Sequence, residues 1–183
     1  MARPPGVTRR ATTRPQPNPK PRPFVLADAS PLIALANVGG LAWLHELFGK
    51  VALTVTVLGE VAPGQGRPGE TEITAAIRRR WLTAVEAPWI EPAFAEIDEG
   101  EASTLRAAIH SKRPCLILMD ERAGRAVARE LGFAVTGTAG IILAAKQHNL
   151  IPAVRPVFEA LLEKDFRLSV ELIRTVLDQA GEK

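Results

Sequence analysis

The stretch Phe24-Val25-Leu26-Ala27-Asp28-Ala29-Ser30-Pro31-Leu32-Ile33 decides the reading of this chain. Its apolar start has strand character, and Ser30-Pro31 then opens an apolar helical pattern, with proline favoured at a first helical position. Asp28 stands at the junction, where open α/β sheets hold their ligands, outside the carboxyl ends of the strands. The arrangement repeats in Leu116-Ile117-Leu118-Met119-Asp120-Glu121. Two strand-end acids in one small chain point to a metal site.

Outward from this stretch, strand and helix patterns alternate. Strands are expected at 24–28, 51–54, near Val85, at 115–119 and at 133–136. Helices are expected at 31–37, 40–48, 55–61, 73–82, 98–112, 121–131, 138–149, 152–164 and 169–180, with a loop at 65–70. Such βαβ alternation implies an α/β fold, a mainly parallel sheet covered by helices on both faces. No internal repeat is visible.

The chain has 183 residues, of which 46% are hydrophobic and 23% charged. That suits one globular domain, assigned here to 24–183. Residues 1–23 are different: they hold seven prolines, six of the 23 basic residues and no acid. Such a segment cannot bury enough surface to offset its ordering entropy, so it reads as a disordered basic, proline-rich tail. The other 17 basic residues face 20 acids, so the rest of the chain is near −3 and has no general attraction to nucleic acid. One cysteine, Cys115, allows no internal disulfide and suits a reducing cytoplasm. No apolar run approaches a membrane span, and the N-terminus lacks the apolar core of a signal peptide.

Each acid has a plain structural role to set beside a chemical one. Asp28 could cap the helix after it, but Ser30 is placed to do that, leaving Asp28 for chemistry. Asp120 repeats the strand-end position, while Glu121 would also favour the helix dipole. Asp98 and Glu101 are spaced like a capping box, with Asp98 the better cap. Glu101 nevertheless lies one turn before Leu105 on the stripe that faces the sheet. Glu60 sits among Val57, Leu58 and Val61 with no basic neighbour in sequence, and a lone buried Glu is costly without a partner or a metal.

An all-carboxylate set suits Mg²⁺ or Mn²⁺. Two like charges about 4 Å apart repel by roughly 4 kcal/mol at an effective dielectric near 20, so a cluster of acids favours a cation. Zinc is disfavoured, because Cys115 is alone and His45, His110 and His148 have no ligand spacing. The same lack argues against Ser-His-Asp and Cys-His hydrolases. No Walker or Rossmann glycine loop is present. A phosphatase of the haloacid dehalogenase kind would need Asp-x-Asp at the first strand, where Ser30 stands instead, and a receiver-type phosphoacceptor would need a paired acid there.

These residues resemble a PIN domain, and within that family a little-characterised PIN-like branch similar to VapC-type toxin ribonucleases. The likeness runs through Asp28 to Leu35, Leu47-Phe48-Gly49-Lys50-Val51, Gly100-Glu101-Ala102, Leu118 to Arg125, Gly137-Thr138-Ala139-Gly140, Leu150 to Pro156 and Phe166-Arg167-Leu168-Ser169. It covers about 24–180. Glu101 stands where many PIN domains have Asp, and Glu121 where this branch often has a second Asp.

The resemblance implies a three-layer α/β/α sandwich and a metal-dependent endoribonuclease, with Asp28, Glu60, Glu101 and Asp120 as its acidic site and Glu121 as an adjunct. One or two Mg²⁺ or Mn²⁺ ions would be held by Asp28, Glu101, Asp120 and Glu121, with Glu60 alongside. Arg122 and Arg125 would hold the RNA backbone, and the Ser30 and Thr138 hydroxyls would orient water or phosphate. The implied partners are an RNA substrate, a small antitoxin protein and a second copy of the chain in a homodimer, without a membrane. The competing reading is a binding or regulatory module that keeps the fold and does not cut.

Overall fold

The structure, a computed structural model, describes residues 23–88 and 94–182. The expected tail therefore lies outside the described residues, except for Pro23. Five strands form one sheet: β1 (Phe24–Ala27), β2 (Val51–Thr54), β3 (Leu82–Val85), β4 (Cys115–Leu118) and β5 (Ala134–Thr136). Their order is β3-β2-β1-β4-β5, and every pairing is parallel. The described helices are α1 (Ala29–Asn37), α2 (Ala42–Phe48), α3 (Val55–Val61), α4 (Glu70–Arg78), α5 (Glu99–Ser111), α6 (Arg122–Glu130), α7 (Thr138–Gln147), α8 (Arg155–Glu163) and α9 (Val170–Ala180).

Alternation along the strands builds two cores, one on each face. Val25 and Ala27 of β1, Val51 and Leu53 of β2 and Leu118 of β4 pack with Leu32, Leu35, Leu44, Ile142 and Phe158. Leu26, Ala52, Cys115 and Ile117 point the other way and pack with Leu105, Ala108, Met119 and Ala128. The result is the α/β/α sandwich that the sequence pattern implied. Among the described residues no single helix is long and apolar enough to cross a membrane; α1 and α2 together are apolar enough but bend by 118° between them.

The strand order positions the site. The chain runs from β1 outward to β3, then returns to place β4 on the other side of β1. The order reverses between β1 and β4, and the crevice beyond their carboxyl ends is the switch point where such sheets bind ligands. Phe24 to Ala27 pair with Cys115 to Leu118, and the Asp28 amide donates to the Leu118 carbonyl at 2.9 Å. Asp28 and the segment leading to Asp120 thus leave the sheet side by side.

Several boundaries differ from the sequence expectation. The first helix starts at Ala29, so Ser30 and Pro31 lie within its first turn and Ser30 is not the cap; Asp28 holds that position and makes no capping bond. The fourth helix runs over Glu70–Arg78, because its start is fixed by Glu70. That carboxylate accepts the Gly64, Gln65 (3.2 Å) and Arg67 (2.9 Å) amides, which closes the loop before it and holds its pKa below the ordinary carboxylate value.

Candidate functional site

Asp28 is 4% exposed at the end of β1. Burial pushes its carboxyl up to about 7, against the pull of the Ala29 amide, and the charges of Glu101, Asp98 and Glu60 raise it further. Three acids from two other helices and a cap therefore act on this one carboxyl.

Glu101 is brought there by the start of α5. Asp98 caps that helix, its Oδ1 accepting the Glu101 amide at 2.9 Å. The cap sets the first turn so that the Glu101 side chain points inward, 2% exposed. Its Oε1 is buried and has no hydrogen-bond partner among the described residues. Burial first, then the charges of Asp98 and Glu121, raise its pKa to about 7, with the amide bond to Asp98 opposing.

Glu60 lies in the last turn of α3 and is exposed, which corrects the expectation of a buried Glu. Val57 and Val61, four residues apart, take the inner side of that helix. The carboxyl end still turns toward α5: a Cβ built on Gly100 would stand 2.7 Å from Glu60 Oε1. Partial desolvation and the Asp98 charge raise its pKa. The α3 and α5 starts are tied together. Thr54 caps α3 by accepting the Val57 amide at 3.1 Å, and its hydroxyl lies 2.7 Å from that of Ser103, which donates to the Gly100 carbonyl at 2.8 Å.

Asp120 is half-buried and already engaged. Its Oδ1 accepts the Thr138 amide at 2.8 Å and its Oδ2 the Thr138 hydroxyl at 2.6 Å, so it holds the start of α7. Burial raises its pKa, and the Thr138 bonds and the Arg125 charge oppose this. Arg125 donates to the Met119 carbonyl at 2.9 Å, and desolvation followed by the Arg129 charge lowers its pKa. The Thr138 hydroxyl and the Arg125 guanidinium are thus directed inward, at Asp120 and at the Met119 carbonyl beside it. Arg122 and Glu121 are exposed, and Ser30 is half-buried. Glu121 caps α6 by accepting the Arg122 amide at 3.0 Å. Its charge acts on both Glu101 and Asp120, so it links the two halves of the acidic site.

The charges of Glu60 and Glu101 thus reach Asp28, and that of Glu121 reaches both Glu101 and Asp120. The structure adds Asp98, whose charge raises Asp28, Glu60 and Glu101 alike. The sequence showed Asp98 only as a cap; its second effect falls partly on Asp28, which is distant in sequence. Among the described residues, no three His, Cys, Asp or Glu side chains are gathered as a ready metal-ligand set. The donor chemistry nevertheless fits a hard divalent cation. The groups are carboxyl oxygens, one of them buried and unpaired, and burial and mutual repulsion disfavour their ionised forms until positive charge arrives.

The family of the chain agrees with this geometry. The DUF3368 family model, described as a PIN domain, matches residues 24–182. No curated protein matches the chain. The PIN fold is a nuclease-type fold, typically dependent on divalent metal. With a family model spanning the whole folded region, the chain belongs to the PIN-domain family.

Proposed function

We propose that the protein is a Mg²⁺- or Mn²⁺-dependent endoribonuclease with its site at the β1–β4 switch point. The observation that carries this reading is the pair Asp28 and Glu101: both buried, both pushed up to about 7, with Glu101 Oε1 unpaired among the described residues. Asp28 and Glu101 would hold the ion, with Glu60 and Asp98 adding negative charge around it and Asp120 and Glu121 completing the far side. A bound divalent ion supplies Lewis acidity, acidifying water and neutralising charge on the phosphate oxygens.

The chain's own groups do the rest. Asp28 and Glu101, raised to about 7 without a cation, would give up their protons as the ion binds, so the site would load more readily as pH rises through that value. Arg122, exposed at the start of α6, would contact the RNA backbone. Arg125 and Thr138 keep Asp120 in place and act on substrate through it. Family membership and the VapC-like motifs support a toxin role in the cytoplasm, as a homodimer restrained by a small antitoxin protein.

RNA cleavage by the purified protein tests the reading. Wild type should cut RNA with Mg²⁺ or Mn²⁺ and stop with a chelator. Asp28→Asn should lose at least about 100-fold in rate, the upper end of the 10–100-fold that outer-shell partners of a metal cost, while keeping its circular dichroism. An Asp28→Asn protein as fast as wild type would sink the assignment. A second reading, a non-cleaving binding module, draws support from the engagement of both Asp120 oxygens by Thr138. RNA binding without cleavage at any Mg²⁺ or Mn²⁺ concentration would select it.

A further inference from the structure

Glycines lie beneath the acids. A Cβ built on Gly124 would stand 2.5 Å from Glu101 Oε1, 2.8 Å from Glu101 Cδ and 2.5 Å from Met119 Sδ. A Cβ on Gly100 would stand 2.7 Å from Glu60 Oε1. Real Cβ atoms do not approach so closely, so the carboxylates occupy volume that any other residue would fill. Neither glycine has a positive φ, so backbone conformation does not demand glycine at either position. Both lie in the first turn of a helix, where alanine is the better helix former.

We infer that Gly124 is a positioning residue for the metal site: its missing side chain is the seat of the Glu101 carboxylate. The inference rests on the proposed metal-dependent function and extends it to a residue without chemistry of its own. Glu101 and Met119 are both fully packed, so neither can swing into solvent to admit a methyl group. Glu60 is exposed and can swing aside, which makes Gly100 the weaker seat. The longer side chain of Glu101, compared with Asp, requires this room on the facing helix α6.

Mn²⁺ binding followed by electron paramagnetic resonance, with thermal unfolding in parallel, tests the seat. Gly124→Ala should weaken Mn²⁺ binding about tenfold or more, the range for losing a group that orients a ligand. Gly100→Ala should weaken it less. Glu101→Asp should weaken binding in the wild-type background yet improve it in the Gly124→Ala background, because the shorter side chain withdraws from the added methyl. That reversal of sign separates a positioning role from general damage to the fold. Gly124→Ala binding within twofold of wild type, or no improvement from Glu101→Asp in that background, would overturn the inference. If Gly124→Ala does not fold, folding of the double variant supports the seat and its failure overturns it. If wild type binds no Mn²⁺, the functional reading fails. A crystal structure of Gly124→Ala then decides the seat by whether the Glu101 carboxylate has moved.

Discussion

Asp28 and Glu101 carry the electrostatic character of the molecule at the scale of single residues. An acid whose folded pKa is raised binds its proton more tightly in the fold than in the unfolded chain. Its contribution favours the fold below the unfolded pKa and is lost as pH rises through the folded one. For Asp28 that window runs from 3.8 to about 7. Asp28→Asn should therefore stabilise the metal-free protein by an amount that grows from pH 4 to pH 7, up to about 4 kcal/mol. Denaturant unfolding at a series of pH values measures it; a gain independent of pH would show that Asp28 is not held protonated. Asp28 and Asp120 were legible in the sequence because each follows an apolar run directly. The apolar residues beside Glu60 in sequence are not its surroundings in space, because helical spacing puts Val57 and Val61 inside and Glu60 outside. Asp98 was half read, since a cap shows in local spacing and a charge acting on Asp28 does not.

At the scale of elements, the site depends on how two helix starts are held together. The Thr54 and Ser103 hydroxyls, 2.7 Å apart, join the beginning of α3 to the first turn of α5. Both are buried, and loss of Thr54 leaves Ser103 only its bond to the Gly100 carbonyl, with nothing joining the two helix starts through these hydroxyls. Thr54→Val also removes the α3 cap. It should cost about 1–3 kcal/mol in stability, combining the lost cap and the lost hydroxyl–hydroxyl bond, as read by thermal or denaturant unfolding. It should lower cleavage as well, because Glu60 and Glu101 ride on the two helices. Thr138→Val should act on the other half: Asp120 loses the hydroxyl at 2.6 Å while keeping the amide at 2.8 Å. A drop in cleavage with a stability loss of about 1 kcal/mol is expected there. Helices and strands were legible from periodicity, including β3 from Val85 alone. The first helix start was not. Ser30-Pro31 carries a strong start signal, and the carboxyl end of β1 set the boundary two residues earlier.

The sheet order organises the whole molecule, and no local pattern contained it. Alternating elements implied a parallel sheet but left the neighbours of β1 open. The pairing of β1 with β4 joins segments almost 90 residues apart and creates the switch point on which the site stands. The acids whose charges act on one another there make a cation the natural relief for their repulsion. Mg²⁺ or Mn²⁺ should therefore raise Tm, and raise it more at pH 8 than at pH 5.5, where protons compete for Asp28 and Glu101. Equal shifts at both pH values would place the binding elsewhere.

The most direct measurement is a crystal structure of the wild-type chain grown with Mn²⁺, using anomalous scattering to locate the ion. The account predicts an anomalous peak bonded to the carboxylates of Asp28 and Glu101, with Glu60, Asp98 or Asp120 around it. A crystal with those carboxylates ordered and no peak between them, or with Mn²⁺ bound only at other groups, would contradict it.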